Sequence, residues 1–296
     1  MKIIPPVAIT NAALVSSNVP EDDAPIWAAG TYVQGDKAIV DHRIYEVLAE
    51  TTTDSPEEGV TKEVPSWLDL GVTNRFRMFD ERVSSLTEHQ GSIVSVITPG
   101  AVINSLAMFN VRAHRVTVTM TDPADGVVYE KIVSLLDAGV TNPYDWCFAP
   151  ILRRSDLVLT DLPAYGTATI TITIDNGTGV AACGHLVLGL RTDIGVALYG
   201  SSVGITDYSG KDTDSFGNTL LIERDYSKRA SFYVDVETRR QGQVQRLLAS
   251  FRAKPVVWIG EGTYEATIIF GFYRDFEITI DGPIESAATI TVEGMV

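Results

Sequence analysis

Aromatic side chains are the most suggestive chemical feature of the sequence, and they concentrate toward its N-terminal end. The four rings of interest are Trp27, Tyr32, Tyr45 and Trp67. Flat rings spaced through a short, turn-rich segment can cover the apolar face of a pyranose, so these four residues are candidate carbohydrate-binding residues. The alternative is that a small unit without disulfides needs the same rings to fill its own core.

Groups that could act in catalysis are scattered and do not converge on one reaction. Residues 200–204, Gly-Ser-Ser-Val-Gly, match the G-x-S-x-G pattern of a nucleophilic serine, but no helical periodicity follows, so a simple turn is favoured. Asp207, Asp212 and Asp214 miss the spacing of a calcium loop, which predicts a solvated loop. The 38 acidic residues offer many carboxylate pairs for glycoside cleavage, and the sequence singles out none. We predict no catalytic residues.

Histidine and cysteine give no metal-binding pattern. The histidines are His42, His89, His114 and His185. None lies three to five residues from another histidine or cysteine, and Cys183-Gly-His185 is the nearest approach, so a packed thiol and a hydrogen-bonded imidazole are favoured over a zinc site. Cys147 and Cys183 could pair, although a reducing compartment favours two free thiols. We predict neither a metal nor a cofactor.

The overall charge restricts the partners. The 296 residues include 38 acidic and 23 basic side chains, a formal net charge of −15, which would repel a phosphate backbone. No apolar run approaches the roughly 20 residues needed to cross a bilayer, and the first residues lack the apolar block of a signal peptide. These observations predict a soluble protein made in a cytoplasm, without nucleic acid as a partner and without a membrane span.

The elements that must position these residues are mainly β-strands. Short runs rich in Val, Ile and Thr are separated by 13 prolines and 24 glycines. In residues 167–175, isoleucines alternate with threonines, which predicts a strand with one buried face. Residues 115–121 alternate in the same way, and a turn at 122–126 followed by 127–135 predicts a β-hairpin.

One segment has helical periodicity. Val244, Leu247, Leu248 and Phe251 fall at i, i+3, i+4 and i+7, with Thr238 as a candidate cap. This predicts one amphipathic helix packed on a sheet. The acidic stretch 51–58, in contrast, is typical of an exposed loop.

Composition divides the chain into three zones. Residues 1–80 are predicted to form an N-terminal arm and a small aromatic-rich, carbohydrate-binding-like β module, and residues 81–195 a central antiparallel β-sandwich. Residues 196–296 are predicted to form an α+β domain that contains the helix. The expected fold class is therefore mainly β.

The aromatic zone resembles the small chitin-binding type of carbohydrate-binding module over about residues 24–70. The pattern of such modules is met by Trp27, Tyr32, Gly35-Asp36, Tyr45 and Trp67. The resemblance implies a small twisted β unit that displays aromatic rings to a polysaccharide. Modules of this type also occur as appendages on the tail proteins of bacteriophages.

Most of the chain is similar to a tail-associated protein that is widespread in tailed phages and prophages. The segments that carry this similarity are 67–71, 73–75, 78–80, 102–106, 183–185, 199–200, 207–209, 216–218, 226–229, 271–276 and 292–294. The resemblance implies a structural protein of the tail tip or baseplate with a galactose-binding-like jelly roll in its centre.

From the resemblance we expect a non-enzymatic protein that mediates assembly of the distal tail and contacts a host-surface glycan. Its expected partners are other tail or baseplate proteins, copies of itself and a cell-surface glycan, and its expected location is the virion tail after assembly in the host cytoplasm. Two alternatives stay open. One is a carbohydrate-binding adhesin whose main role is host recognition, and the other is a tail enzyme that degrades polysaccharide.

Overall fold

The computed structural model describes residues 1–137, 144, 152–213, 215–262 and 264–296, and these residues are mainly β, as the sequence predicts. The strands of the N-terminal third are β1 (Lys2–Ile4), β2 (Leu14–Ser17), β3 (Tyr32–Val33), β4 (Lys37–Val40), β5 (Arg43–Val47), β6 (Thr51–Thr52), β7 (Trp67–Val72) and β8 (Thr87–Ile97). Those of the middle are β9 (Ser105–Phe109), β10 (Arg115–Asp122), β11 (Gly126–Ser134), β12 (Leu136–Asp137), β13 (Leu152–Arg153), β14 (Leu157–Leu159), β15 (Thr169–Cys183), β16 (His185–Gly189) and β17 (Thr192–Asp193).

The remaining elements complete the chain. The C-terminal strands are β18 (Val196–Ala197), β19 (Ser202–Asp207), β20 (Gly210–Thr213), β21 (Thr219–Ile222), β22 (Tyr226–Glu237), β23 (Val256–Ile259), β24 (Ile268–Thr279) and β25 (Glu285–Gly294). Among the elements whose bounds the structure describes, α1 (Pro56–Thr61) and α2 (Gln241–Ser250) are α-helices, and 3-10 turns lie at Arg77–Phe79, Thr238–Arg240 and Glu265–Thr267. No helix among the residues described is both long and apolar enough to span a membrane.

The strands predicted from alternation are confirmed. In β15, Ile170, Ile172 and Ile174 point into the core while the intervening threonines stay partly exposed. The β10–β11 hairpin forms at the predicted turn, with Asp122 paired to Gly126. Strand β15 runs on past its bulge between Asp175 and Val180 instead of ending there, because its second half continues the ladder with β8.

The centre of the molecule is an antiparallel sandwich. A five-stranded sheet in the order β11-β10-β15-β8-β2 packs on a three-stranded sheet in the order β14-β9-β16. Aliphatic side chains from both sheets form one core between them. The apolar alternation of β8, β10 and β15 supplies one side of this core, as expected for a sheet with a single buried face.

The three-stranded sheet is buried on both faces. Leu106 and Met108 of β9 enter the sandwich core, whereas Ala107 and Phe109 enter a second core against the C-terminal sheet. All five residues of β9 and all five of β16 are buried. This double burial explains why these strands read as continuous apolar runs without alternation.

The C-terminal sheet has the order β17-β1-β23-β24-β25-β22-β18, with β19 also paired to β22. Helix α2 covers the face turned away from the sandwich, and Val244 and Leu248 lie in the core there. The predicted helix is therefore confirmed, but its predicted cap is wrong. The Thr238 hydroxyl donates to the Gly282 carbonyl at 3.0 Å and does not cap a helix, because the β24–β25 turn lies beside it.

The N-terminal strands pair with both the C-terminal sheet and the sandwich. Strand β1 pairs with both β17 and β23 in the C-terminal sheet, and β2 pairs with β8 in the sandwich. Strands β4, β5 and β7 form a small sheet in the first zone, accompanied by the pair β3–β6. The stretch 51–58 is not only a loop, because it contains β6 and the first residues of α1. The three-zone division itself stays a prediction.

Candidate functional site

The four predicted ring residues lie in one small cluster. Trp67 is 0% exposed, and Tyr45 is also buried; both belong to the core of the small sheet, together with Ala38 and Val47. Trp67 Nε1 donates to the Asp54 carbonyl at 3.2 Å. The indole is therefore enclosed and hydrogen-bonded inside the module. In this conformation neither Trp67 nor Tyr45 offers a ring face to a sugar, because both faces are already packed.

The segment that closes over Trp67 is fixed by Asp54. The Asp54 carboxylate accepts a hydrogen bond from Ser66 Oγ at 2.8 Å and forms an ion pair with Lys62 Nζ at 2.7 Å. The hydrogen bond from Lys62, followed by that from Ser66, lowers the pKa of Asp54. Gly59 of α1 approaches the indole so closely that a Cβ there would lie 2.3 Å from Trp67 Cδ1. The short helix thus serves as a lid on the buried ring.

The other two rings lie at the rim of the cluster and are partly exposed. Tyr32 meets Trp67 edge to face, with ring centroids 5.2 Å apart, and its hydroxyl donates to the Ala28 carbonyl at 2.9 Å. Trp27 packs against the same core, and its Nε1 is buried without a hydrogen-bond partner among the described residues. Of the four predicted ring residues, Trp27 and Tyr32 are therefore the two that are only partly buried, and carbohydrate binding stays a prediction.

A polar cluster attaches this module to the rest of the chain. The Glu21 carboxylate meets His42 Nδ1 at 2.6 Å, accepts from Thr73 Oγ1 at 2.7 Å and pairs with Arg75 Nη1 at 3.2 Å. Arg75 Nε also donates to the Val19 carbonyl at 2.7 Å. Each member of the cluster has a partner inside the protein, so the arrangement fixes the position of the module.

The other sequence candidates do not assemble into a catalytic or metal site. The serine at the centre of the G-x-S-x-G match, Ser202, begins β19 and precedes no helix. Cys183 is a buried free thiol whose pKa burial raises to about 12, and Cys147 lies outside the described residues, as does Asp214. His185 is 3% exposed and packs on Phe270, with ring centroids 4.3 Å apart. Within the described ranges no group of three His, Cys, Asp or Glu side chains could hold a metal ion.

A pocket of about 170 Å³ lies between the sandwich and the C-terminal sheet. Its apolar floor includes Phe109 and Phe270, and its charged wall is the ion pair of Lys228 Nζ with the Asp156 carboxylate. Asp225 also lines the pocket, so the ion pair is not its only charged part. We assign it no ligand.

Exposed apolar side chains are concentrated between residues 196 and 226. Eleven of the 29 exposed large hydrophobic side chains among the described residues fall within this tenth of the chain. They are Val196, Leu198, Tyr199, Val203, Ile205, Tyr208, Phe216, Leu220, Leu221, Ile222 and Tyr226. Exposed apolar side chains concentrated in one segment of a chain are typical of a protein interaction surface.

Three of the eleven side chains, Leu220, Leu221 and Ile222, belong to a β arm formed by β20 and β21. The ladder between β19 and β22 ends at the pair Asp207 and Tyr226, and the arm continues it from Gly210 paired with Ile222. The pair β20–β21 forms a two-stranded sheet of its own. Its exposed side chains show that it projects from the C-terminal sheet.

The sequence prediction missed the arm, because acidic residues near glycines indicated only a solvated loop. The signal that could have found it is the Gly217-Asn218 turn followed by the aliphatic run Leu220, Leu221 and Ile222. Gly217 has a φ of +87°, as such a turn often requires. The run was not recognised as a strand because it has neither alternation nor a buried face.

Comparison with known proteins adds little. No protein-family model matches the chain, and no curated protein matches it. One solved structure that is similar in part is a point mutant of chitosan-binding module 1 from a chitosanase/glucanase of Paenibacillus sp. IK-5. The identity is 9% and the TM-score 0.27, over 39% of this chain and 83% of that module. A likeness at this level supports no statement about function.

Proposed function

We propose that this chain is a structural protein of the distal end of a phage tail, in the tip or baseplate, and that it acts by holding neighbouring subunits together. The observation that carries the assembly role is the apolar surface of residues 196–226, which includes the β arm. The tail location rests on the sequence resemblance described above. In this proposal the chain has no catalytic function.

The architecture supports an assembly role. The C-terminal sheet places its edge strands β18 and β19 and the β arm on one side of β22, where backbone groups are free to pair with another chain. One face of the sheet packs against α2 and the other packs against the sandwich. A rigid body with a projecting apolar element suits a protein that joins subunits.

The location is tested by labelling intact particles with an antibody to this chain and viewing them by electron microscopy. We expect label confined to the distal tail. Absence of label from particles, with the purified chain still recognised by the same antibody, would contradict the proposal. Release of reducing sugar from host envelope polysaccharide by the purified chain would contradict its non-enzymatic part.

A second candidate function is glycan attachment through the aromatic module. The observation that favours it is that Trp27 and Tyr32 both pack at the rim of the module core and are only partly buried. Ring surface of this kind can stack on a sugar.

Glycan attachment is tested by co-sedimentation of the purified chain with insoluble chitin. We expect Trp27→Ala and Tyr32→Ala to reduce the bound fraction by more than their loss of stability explains, with the chain still folded and its melting temperature lowered because both rings also pack against the core. Tyr264→Ala, at an exposed tyrosine outside the module, is the matched control. No binding by the unsubstituted chain, or equal binding by all variants, would remove this candidate for chitin.

A further inference from the structure

The two strands of the β arm differ in how their outer edges are protected. Strand β20 carries Lys211 and Asp212, whereas β21 presents Leu220, Leu221 and Ile222 without any charge. Natural sheets commonly protect an exposed edge with charged residues, above all lysine. The β20 edge follows this rule and the β21 edge breaks it.

Both faces of β21 are exposed as well as its edge. Leu220 and Ile222 share one face and are 61% and 47% exposed, while Leu221 lies on the other face and is 68% exposed. Across the arm, Leu220 faces Asp212, Leu221 faces Lys211 and Ile222 faces Gly210. These neighbours cover little apolar surface. A two-stranded ribbon of this kind is at best marginally stable alone, and further strands stabilise it.

The sequence of β21 is complementary to itself. In an antiparallel pair centred on Leu221, Leu221 would face Leu221 of a second copy, and each Leu220 would face Ile222 of the other copy. All three cross-strand pairs are then aliphatic, and opposed residues lie on the same face of the sheet, as antiparallel pairing requires. The charged β20 strands would lie on the outside.

We propose that a second copy of this chain binds at the β arm by antiparallel pairing of β21 with β21, which gives a four-stranded sheet about a two-fold axis. The proposal rests on the assembly role proposed above and names its partner. Charge supports this choice of contact. The chain carries −15 overall, yet β20 and β21 carry only Lys211 and Asp212, so two copies meet here without net repulsion between the paired strands.

The test measures the molar mass of the full-length chain by sedimentation over a wide range of concentration. We expect the unsubstituted chain to associate into dimers and Leu221→Glu to stay monomeric, because two carboxylates would then face each other across the axis. Within one arm the new carboxylate lies opposite Lys211, so the arm itself keeps a favourable pair. Thr213→Glu, which adds the same charge to the outer strand, is the matched control and should dimerise.

A charge exchange tests the register. The double variant Lys211→Glu/Leu221→Arg should be monomeric alone, and mixing it with Leu221→Glu should restore dimers, because opposite charges then meet on the axis. Unchanged melting temperatures establish that each variant is folded. A monomeric unsubstituted chain, or a dimer that Leu221→Glu does not weaken, would overturn the proposal.

The outcome is separable from that of the proposed function. A chain that labels the distal tail but is monomeric at every concentration leaves the tail location standing and overturns the pairing of arms. A chain that dimerises through Leu221 but is absent from particles supports the pairing and contradicts the tail location.

Discussion

At the residue scale, the aromatic module shows how one side chain can decide between a binding role and a structural one. Trp67 is fully buried and its indole N–H is satisfied by the Asp54 carbonyl, so the ring contributes its area to the core. Gly59 lies against the indole because no larger residue fits there. The absence of a side chain at Gly59 is therefore a packing requirement.

Replacement of Gly59 by alanine tests that packing. The new Cβ would lie 2.3 Å from Trp67 Cδ1 and 2.6 Å from Ser66 Oγ, so the helix or the ring must move. We expect the free energy of unfolding of the module to fall by about 1–3 kcal/mol, measured by thermal melting. Gly242→Ala in α2, where the nearest neighbour of a new Cβ is 3.8 Å away, should cause no loss. Equal stabilities for both variants would contradict the close contact.

From the buried ring of His185 we predict that the free energy of unfolding depends on pH. Burial lowers the pKa of His185 to about 4 from the ordinary 6.5. As the pH falls from 6.5 toward 4, the unfolded chain takes up a proton that the folded chain does not, so the free energy of unfolding decreases. The full contribution of the neutral, buried ring to the free energy of unfolding is present above pH 6.5. This contribution, about 3 kcal/mol, is lost progressively as the pH falls from 6.5 to 4.

The measurement is the free energy of unfolding of His185→Leu against pH. Between pH 6.5 and 4 the variant should lose less stability than the unsubstituted chain, since its side chain does not titrate. His114→Gln, at an exposed histidine, should keep the original slope. The same slope in His185→Leu would show that the ring is not buried as the structure has it.

The sequence predicts which residues form the candidate site, but it does not predict how exposed each of them is. A tryptophan serves equally well in a core and on a binding surface, and its role depends on which elements cover it. Trp67 is covered by α1, a six-residue helix within a stretch whose acidic character indicated only a loop. The lid went unrecognised, and so the sequence could not separate Trp67 and Tyr45 from Trp27 and Tyr32.

At the scale of elements, alternation predicted β10 and β15 because each of these strands has one buried face. Strands β9 and β16 have two buried faces and so lack a period, and β20 and β21 have none. Alternation of apolar and polar residues arises only where the two faces of a strand differ in burial. It is informative about strands at the surface of one layer and uninformative about strands between two layers or outside all of them.

The ion pair of Lys228 with Asp156 joins two elements from different layers. Asp156 is buried and precedes β14 of the sandwich, while Lys228 belongs to β22 of the C-terminal sheet. Lys228→Met would leave a buried carboxylate without its cation, and we expect a loss of about 3 kcal/mol in the free energy of unfolding. The double variant Lys228→Met/Asp156→Leu should recover much of this loss, because no unpaired charge remains.

An ion pair on the surface shows what the loss of an exposed pair costs, for comparison with the loss of Lys228–Asp156. Lys131 and Asp161 form an exposed pair at 2.7 Å, and Lys131→Met should cost less than about 1 kcal/mol. Chemical denaturation measures all three variants. If Lys228→Met cost no more than Lys131→Met, the pair between the layers would contribute no more than a surface contact.

At the scale of the whole molecule, the layers are not independent. One core is shared by β9 and β16 of the sandwich and by β23 and β24 of the C-terminal sheet, and Ile4 of β1 lies within it. Strands from the second and third predicted zones, together with β1 from the first, therefore bury a common apolar surface. Composition could suggest the three zones, but it could not show that the first strand of the chain completes the last sheet.

This sharing predicts how the molecule unfolds. Ile3 and Ile4 are both fully buried, on opposite faces of β1, and only Ile4 contacts the core between the sandwich and the C-terminal sheet. We expect Ile4→Ala to lower the free energy of unfolding by about 2–5 kcal/mol and to reduce the hydrogen-exchange protection of β15 and β22 together. Val15→Ala, at an exposed position of β2, should leave both unchanged. Loss of protection in β22 alone would mean that the shared core does not couple the two layers.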